Sequence, residues 1–385
     1  MLALRLARGA HPLVQLRRLL VAAAAAGTGF LLLCTLAYAM EHPGTGSVLR
    51  LAWCAAPTAA TVYFAVAVAR TDPGTRPRAG LSAVGLGPAR LMVLAAISTA
   101  VACTLGSLVA LLVFLHLRGD LSGLPFDGAA AELLAADRPL PLAAALTLLT
   151  VVPLTASAAS AAALRPRPAT SSGAENPGEP AAPAPAPSGL PWGVALLAAG
   201  LAVETYASGK ANGTGLPVPG GADGNPAGVL AGWALTALGL ALAGPGLTYL
   251  CGRLLQAARP GAVRLLAGRV LQEEARRIGR PLGVLCAVAS GAYASGVLYA
   301  GPRTGIGPLT ALGALLVAGC AVLTLATAAV EARQSRADTT AALLRLGAPA
   351  TMLRGSAALR AGALTAVFAP LTWVVAELAA LPLGR

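Results

Sequence analysis

The chain has few charged and few aromatic residues. Of its 385 residues, 11% are charged and 4% are aromatic, whereas 56% are apolar. A soluble domain carries about 25% charged residues, so this composition does not supply a water-exposed globular surface. Apolar runs of roughly 20 residues recur along the chain, and each is long enough to cross the ~30 Å hydrocarbon layer of a bilayer. The sequence therefore excludes a soluble enzyme, a secreted disulfide scaffold and a disordered chain, and it predicts an all-α polytopic membrane protein.

Residues that usually carry chemistry are scarce and scattered. The six cysteines lie in or at the ends of apolar runs and form no CxxC pair, so we interpret them as small apolar core residues. The three histidines, His11, His42 and His116, fall in separate segments, which does not suggest a metal or nucleophile site. We therefore expect no catalytic residue, no metal site and no cofactor, so that the chain is not an enzyme. The acidic residues within 117–139 are interpreted as a solvated outer loop rather than as a lipid-processing active site.

A phosphate-binding loop is also missing from the sequence. The pattern GxxxxGK[ST] does not occur, and the only Gly-Lys pair, Gly209-Lys210, is followed by Ala211. The chain cannot hold ATP by this motif. Any ATP-driven work therefore requires a separate protein.

Nine apolar runs are predicted to form transmembrane helices. They cover residues 19–40, 51–69, 91–116, 140–164, 190–206, 228–250, 281–300, 307–330 and 356–381. The first run is interpreted as a membrane helix and not as a signal peptide, because it is longer than a typical signal core and further spans follow it.

The distribution of charge predicts the topology. If the N-terminus is cytoplasmic, the inner segments hold 21 basic and seven acidic residues, and the outer segments together with the outer helix ends hold six basic and eight acidic residues. This asymmetry follows the positive-inside rule. It predicts a multi-pass protein of the cell membrane with a cytoplasmic N-terminus and an external C-terminus. We therefore attribute the net charge of +13 to topology, and we expect the lipid bilayer rather than nucleic acid as a partner.

Three charged residues fall within the predicted spans, each near an end: Glu204, Arg360 and Glu377. A charge at mid-bilayer costs about 3 kcal/mol on insertion scales. We expect Arg360 to reach back to the cytoplasmic face or to pair with a lipid phosphate. The sequence predicts no buried carboxylate, which argues against a proton-coupled carrier.

An internal repeat recurs at an offset of 260 residues. Residues 76–92 align with 336–352, and the identities are Arg76 with Arg336, Leu86 with Leu346, Gly87 with Gly347 and Met92 with Met352. Both copies lie in predicted cytoplasmic loops between equivalent spans. Spans one to three therefore correspond to spans seven to nine in the same orientation, which is a parallel repeat.

The rest of the chain connects the two copies. Residues 165–189 are rich in Pro and Ala without apolar periodicity, so they are predicted to form a disordered cytoplasmic linker. We assign 1–164 to the first membrane repeat, 190–260 to two spacer helices and 261–385 to the second repeat. The longest outer loops run only about 20 residues, which is too short for a folded domain.

The second loop predicts an element at the membrane surface. Residues 331–346 are predicted to continue the eighth span as a helix with an apolar face of three leucines. Gly347 can adopt the left-handed conformation that ends a helix, and Pro349 suits the first turn of the next one. Such an amphipathic helix with a sharp elbow either lies on the bilayer or fits a groove on a cytoplasmic partner.

This loop resembles one in a known family. The last helix is preceded by an apolar helix, an Arg-rich stretch and the segment ALLRLGAPATMLR. This order resembles that of FtsX-like ABC transporter permeases of the MacB and LolC type. The cytoplasmic loop of those proteins reads close to R-x-x-E-x-x-x-L-R-A-L-G-A and is followed at once by a transmembrane helix. Residues 342–348 fit that pattern, and residues 84–88 fit it less well. Residues 266–285 resemble the amphipathic stretch that precedes the first helix of each copy.

The resemblance implies that both loops are coupling helices seated on a P-loop ATPase, the nucleotide-binding subunit, at the cytoplasmic side. The partner-binding residues that it implies are Arg76, Leu86, Gly87, Arg336, Leu343, Leu344, Arg345, Leu346 and Gly347. The chain would then be a permease subunit that moves a hydrophobic or amphipathic substrate when the ATPase hydrolyses ATP. A homodimer, or a heterodimer with another permease, is expected on the same basis.

The chain also departs from the family. Thr339, Thr340 and their neighbours stand where the family loop has an acidic residue. No large extracytoplasmic domain follows the first or seventh span. The resemblance leads us to expect one more helix after the ninth span. Two other functions therefore stay open: a non-transporting membrane scaffold or signalling protein of the FtsX type, and a secondary carrier.

Overall fold

The computed structural model describes residues 12–72, 88–121, 125, 128–165, 186–208, 227–257, 261–298 and 307–381. In these ranges the regular structure is helical throughout and contains no strand. The α-helices are α1 (Pro12–Glu41), α2 (Thr45–Trp53), α3 (Ala55–Thr71), α4 (Pro88–Arg118), α5 (Leu142–Ala163), α6 (Leu190–Ser208), α7 (Ala227–Ala257), α8 (Ala262–Leu298), α9 (Pro308–Ser335), α10 (Ala337–Arg345) and α11 (Ala350–Ala380).

Eight segments of the described chain are long and apolar enough to cross a membrane. They are α1, the α2–α3 pair, α4, α5, α6, α7, the α9–α10 pair and α11. The prediction of an all-α polytopic membrane protein is confirmed. The predicted seventh span, 281–300, corresponds to the second half of α8, and residues 299–300 lie outside the described residues.

Several helices are longer than predicted. Helix α7 runs to Ala257 rather than to residue 250, and it continues through Pro245, which lies inside it. Helix α8 begins at Ala262, because the Arg- and Leu-rich stretch before the predicted span consists of good helix formers. Both helices thus extend beyond their apolar windows. Hydropathy alone therefore places the end of α7 too early and the beginning of α8 too late.

One compact unit comprises Met1–Pro168 and Ile306–Thr324. Helix α1 packs against α4 where Gly106 lies, and a methyl group at Gly106 would overlap the carbonyl oxygen of Ala22. The hydroxyls of Thr28 and Thr61 lie 2.8 Å apart and join α1 to α3. Helix association in hydrocarbon depends on such close approach and on interhelical hydrogen bonds, because lipid tails are as apolar as leucine.

The other compact unit comprises Ala169–Gly305 and Leu325–Arg385. Helix α7 packs against α6 on one side and against α8 on another, and α8 also packs against α11. Glycines line these contacts: a methyl group at Gly244 of α7 would overlap the carbonyl oxygen of Gly279 of α8. This unit contains the second loop, residues 336–349. The domain boundaries drawn from the sequence stay a prediction.

Candidate functional site

The second loop begins with a break in the helix at Arg336. Helix α9 ends at Ser335, Arg336 has φ −98° and ψ −4°, and α10 starts at Ala337. Its first turn is closed by a hydrogen bond that the Thr340 N–H donates to Arg336 O at 2.8 Å. The prediction of one continuous helix to residue 346 is therefore wrong at this residue. The side chain of Arg336 contacts a neighbouring helix, and this tertiary contact accompanies the break.

The loop ends in a defined elbow at Gly347. The Ala348 N–H donates to Leu343 O at 3.0 Å and the Gly347 N–H donates to Leu344 O at 3.1 Å, which together form a Schellman motif. Gly347 has φ +88° and no atom lies within 4 Å of the position that a Cβ would take. The elbow therefore requires glycine for its backbone conformation, as predicted. Pro349 is the N-cap residue of α11 rather than part of its first turn.

Substitutions at Gly347 are expected to separate backbone strain from crowding. Gly347→Val should destabilise the elbow by about 1–2 kcal/mol, because a side chain is disfavoured in the left-handed region. Gly347→Asn should cost less, since asparagine tolerates this conformation. Amide hydrogen exchange at residues 347 and 348 measures the effect, because both amides are held in the Schellman motif. Equal exchange in the two variants would contradict the assigned strain.

Helix α10 presents an uncovered apolar surface. In the part of the chain that the structure describes, no side chain of α10 is buried. Leu344 is 48% exposed and Leu346 at the elbow is 84% exposed. Leu343 is half-buried and Arg345 is exposed. Leu344 and Leu346, with Arg345 between them, leave apolar surface uncovered at the end of α10, which we call the α10 surface.

A cluster of charges connects the loop to two other helices. The Oε1 of Glu274 on α8 lies 2.9 Å from Arg336 Nε, and its Oε2 lies 3.9 Å from Arg360 Nη1 on α11. The N–H at Arg336 Nε donates to the carbonyl oxygen of Ala332 at 3.0 Å, so the Glu274–Arg336 contact is an ion pair without an aligned hydrogen bond. The side chain of Glu274 is only 8% exposed. We call Glu274, Arg336 and Arg360 the anchor cluster.

Burial dominates the protonation of Glu274, which precedes the predicted span in α8. It raises the pKa of this carboxyl from its ordinary 4.5 to about 7, because the loss of water outweighs the attraction of Arg336 and Arg277. The neighbouring carboxylate of Glu273 adds to the rise. The anchor cluster is thus poised to gain or lose its negative charge near neutral pH.

The anchor cluster is expected to weaken as the pH falls through about 7. Above that pH Glu274 is ionised and attracts both arginines, and below it the neutral carboxyl does not. The measurement is amide exchange at Thr340, corrected for intrinsic rates, at pH values from about 6 to about 8. The exchange protection of Thr340 should differ between wild type and Glu274→Gln at about pH 8 and become equal at about pH 6. Glu273→Gln is the control: its side chain is 61% exposed with Oε1 3.9 Å from Arg269 Nε. This variant should keep the loss of protection and shift it to slightly lower pH, because the Glu273 carboxylate contributes to the raised pKa of Glu274. Unchanged protection of the wild type across the range would contradict this prediction.

The same group has a defined effect on global stability. Between about pH 4.5 and 7 the folded protein binds the proton of Glu274 more tightly than the unfolded chain does. Its stabilising contribution is therefore fully present below about 4.5 and is lost as the pH rises through about 7. Ionised Glu274 thus connects the helices at a cost in stability.

A related contact occurs in the first unit with the charges exchanged. Arg18 Nη2 of α1 lies 2.5 Å from Asp72 Oδ2, directly after α3. Arg17 Nη1 donates to Thr71 Oγ1 at 3.3 Å. In the first unit Asp72, directly after α3, thus pairs with α1; in the second unit Arg336, directly after α9, pairs with α8. Under the predicted repeat, α3 corresponds to α9 and α1 to α8. Arg76, Leu86 and Gly87 lie outside the described residues.

The structure brings some of the predicted site residues together and places two further residues, Glu274 and Arg360, beside them. Arg336 belongs to the anchor cluster, and Leu343, Leu344, Arg345, Leu346 and Gly347 form the α10 surface and the elbow. Glu274 was not predicted as a site residue, and Arg360 was expected to reach water or a lipid phosphate rather than a carboxylate. An arginine within a span, far along the helix from Glu377, the one carboxylate of α11, was the available signal. The sequence could not decide which acidic residue would meet it.

One expectation about buried charge is wrong. Glu204, near the end of α6, is fully buried, although no buried carboxylate was predicted. The reason is close packing against α7: a methyl group at Gly232 would overlap Glu204 Cγ. Hydropathy did not reveal this contact because it depends on which helix faces α6. Among the described residues no three His, Cys, Asp or Glu side chains form a group that could hold a metal ion.

Comparisons with known proteins do not identify the chain. No protein-family model, no curated protein and no solved structure matches it. The resemblance to FtsX-like permeases, which rests on the second loop, therefore stays a prediction.

Proposed function

We propose that this chain is the permease subunit of an ABC transporter and that residues 336–349 dock on a separate P-loop ATPase. The observation that carries the proposal is the exposed α10 surface, held between a glycine elbow and a buried ion cluster. An uncovered amphipathic helix at this site suits a groove on a partner. The energy source must be separate, since the sequence lacks a phosphate-binding loop.

The anchor cluster supplies a route for movement from the partner into the membrane. A displacement of α10 shifts Arg336, which precedes it directly, and Arg336 contacts Glu274 of α8. Glu274 also contacts Arg360 of α11. When the ATPase subunits close on ATP, the displacement of α10 is passed to α8 and α11 through these charges. The substrate is a hydrophobic or amphipathic molecule, and a second permease or a second copy of this chain completes the transporter.

Purification from native membranes tests the proposal. The chain is extracted in mild detergent, and the proteins that co-purify are identified by mass spectrometry. We expect a stoichiometric P-loop ATPase, together with a second permease or only copies of this chain. The ATPase should be lost in the Leu344→Asp/Gly347→Pro variant, because proline cannot adopt the positive φ of the elbow. A monodisperse preparation without an ATPase would instead favour a membrane scaffold or signalling protein.

A secondary carrier is the second candidate function. The fully buried carboxyl of Glu204 favours it, because intramembrane ionisable groups mark ion and proton pathways. Substrate uptake that depends on a proton gradient and is unaffected by loss of any ATPase would support the carrier and contradict the permease proposal.

A further inference from the structure

The carboxyl of Glu204 is enclosed between α6 and α7. The residue has no exposed surface, and Oε1 accepts a hydrogen bond from Thr236 Oγ1 at 3.1 Å. Its other oxygen, Oε2, is buried and has no hydrogen-bond partner. Thr236 is itself buried, and its hydroxyl donates across the helix interface. The carboxyl therefore occupies a closed polar site in a predicted membrane span.

Glycines on both helices leave the space for this site. A methyl group at Gly232 of α7 would overlap Glu204 Cγ, and one at Gly200 of α6 would overlap Thr236 Oγ1. The same methyl at Gly200 would lie 2.8 Å from the carbonyl oxygen of Gly232. The two backbones thus approach each other as closely as glycine allows, and the site admits the glutamate side chain but little else.

The described parts of α6 and α7 place no cation beside this carboxyl. Tyr206 on α6 is 65% exposed. The titratable residues of α7 are Tyr249, Cys251 and Arg253, which begin roughly 20 Å along the helix from Thr236 at 1.5 Å per residue. Neither helix therefore compensates a negative charge at Glu204.

The other helices of this unit use their titratable groups elsewhere. On α8, Tyr293 donates to Glu377 of α11 at 2.9 Å, and Cys286 is hydrogen-bonded to Thr372 of α11. Arg360 of α11 lies in the anchor cluster. Among the residues that the structure describes, the surroundings of Glu204 therefore contain a hydroxyl donor and no paired charge.

We propose that Glu204 is a proton-binding site within the α6–α7 helix pair and that its carboxyl carries the proton in this packing. An ionised carboxylate enclosed without a cation costs several kcal/mol, whereas a neutral carboxyl does not. In the neutral form Oε1 accepts from Thr236, and the proton resides on Oε2, the oxygen without a partner. The proton is the ligand that this closed site fits, because a metal ion requires more oxygen ligands than one carboxyl and one hydroxyl.

Loss of the proton has a structural consequence. The α6–α7 pair would then hold an uncompensated carboxylate against glycine backbone, so the helices must separate or admit water. Proton release is thereby tied to opening of this helix pair. The inference does not depend on whether α10 docks on an ATPase.

Infrared spectroscopy of the protein in lipid bilayers tests the proposal. Protonated carboxyls absorb at higher wavenumber than carboxylates and apart from the amide bands. We expect wild type at neutral pH to show a component of this band that Glu204→Gln lacks and that disappears as the pH is raised. Partly protonated Glu274 contributes a separate component, which is identified by its loss in Glu274→Gln. Thr236→Val should keep the band and shift it to higher wavenumber, because a hydrogen bond to the carbonyl oxygen is lost. Glu377→Gln is the matched control in another span and should leave the band unchanged.

Several results would overturn the assignment. A neutral-pH band that is equal in wild type and Glu204→Gln would do so, as would its absence from wild type. A band that appears only in Lys210→Gln would show that the single lysine of the chain pairs with an ionised Glu204. Loss of the band on addition of Na⁺ at constant pH would identify a cation site instead.

Chemical modification tests the wild-type chain without any substitution. A hydrophobic carbodiimide takes up the carboxyl proton on nitrogen while the carboxyl oxygen bonds to its central carbon, so the adduct gains the full mass of the reagent. Peptide mass spectrometry should find this adduct at Glu204 and not at Glu377, with slow labelling because the reagent reaches the enclosed Glu204 carboxyl only when the α6–α7 pair opens. Labelling of Glu377 alone would overturn the proposal.

Discussion

Replacement of Leu344 and Leu346 by Asp is expected to weaken binding to the proposed P-loop ATPase partner by more than about a hundredfold. Each leucine that is buried on docking contributes roughly 1.5–3 kcal/mol, and 1.4 kcal/mol corresponds to a tenfold change in affinity. Leu346 is 84% exposed and Leu344 is 48% exposed, so their replacement removes little buried contact within the described fold. Membrane insertion and stability should therefore be unchanged.

The experiment compares this double variant with a single substitution that also adds negative charge to the loop. Ala342→Asp is the control for charge, because Ala342 is exposed, lies one turn before Leu346, and carries only a methyl group, so the substitution adds negative charge without removing a leucine. Binding is measured on purified, reconstituted protein by titration with the ATPase. Equal loss of affinity in Ala342→Asp would show that negative charge, and not loss of the apolar α10 surface, causes the effect. Unchanged affinity in the double variant would remove both leucines from the docking site.

Arg336→Gln is expected to destabilise the protein by up to about 1.4 kcal/mol for each pH unit above 7, and so by about 3 kcal/mol near pH 9, because below that range the unpaired Glu274 carboxyl takes up a proton. The substitution leaves a buried carboxylate at Glu274 with only the more distant Arg360 as a partner, and breaking one half of a buried pair is costly. Glu274→Gln should cost much less, because it removes the desolvated charge itself. The double variant should regain most of the stability that Arg336→Gln loses. This non-additivity is the signature of a direct pair and is measured by denaturation in detergent micelles.

Function should respond differently from stability in the same variants. All three lack the ion pair, so movement of α10 should no longer reach α8 and α11. Spin labels at the exposed positions Val297 of α8 and Leu378 of α11 would report this as loss of the ATP-dependent distance change. Glu273→Gln should keep the change. A full response in the double variant would show that the anchor cluster is structural and transmits nothing.

The positions of the spans and the elbow follow from local sequence. Apolar runs place the helices, and Gly347 followed by Pro349 fixes the turn, because left-handed backbone favours glycine and proline favours a helix start. These features depend on residues that are neighbours in the chain. They could therefore be predicted from the sequence.

The anchor cluster and the burial of Glu204 depend on contacts between distant residues. Glu274 and Arg336 lie on different helices, and so do Glu204 and Thr236. Hydropathy assigns each helix to the membrane but does not set its rotation or its neighbours, which depend on the packing of small residues such as Gly232. The sequence therefore located the loop but not the charges that hold it. The break at Arg336 was missed for the same reason.

Site-specific photocrosslinking from Leu346 in native membranes tests the central claim most directly. A photoreactive amino acid at this 84% exposed position would react with whatever covers the α10 surface. The same group at Val322, an exposed apolar residue of α9 within a candidate span, is the control for contact with lipid. The account predicts a crosslink to a P-loop ATPase from Leu346 and none from Val322. Crosslinks from Leu346 to lipid alone would show that α10 lies on the bilayer and would contradict the coupling function.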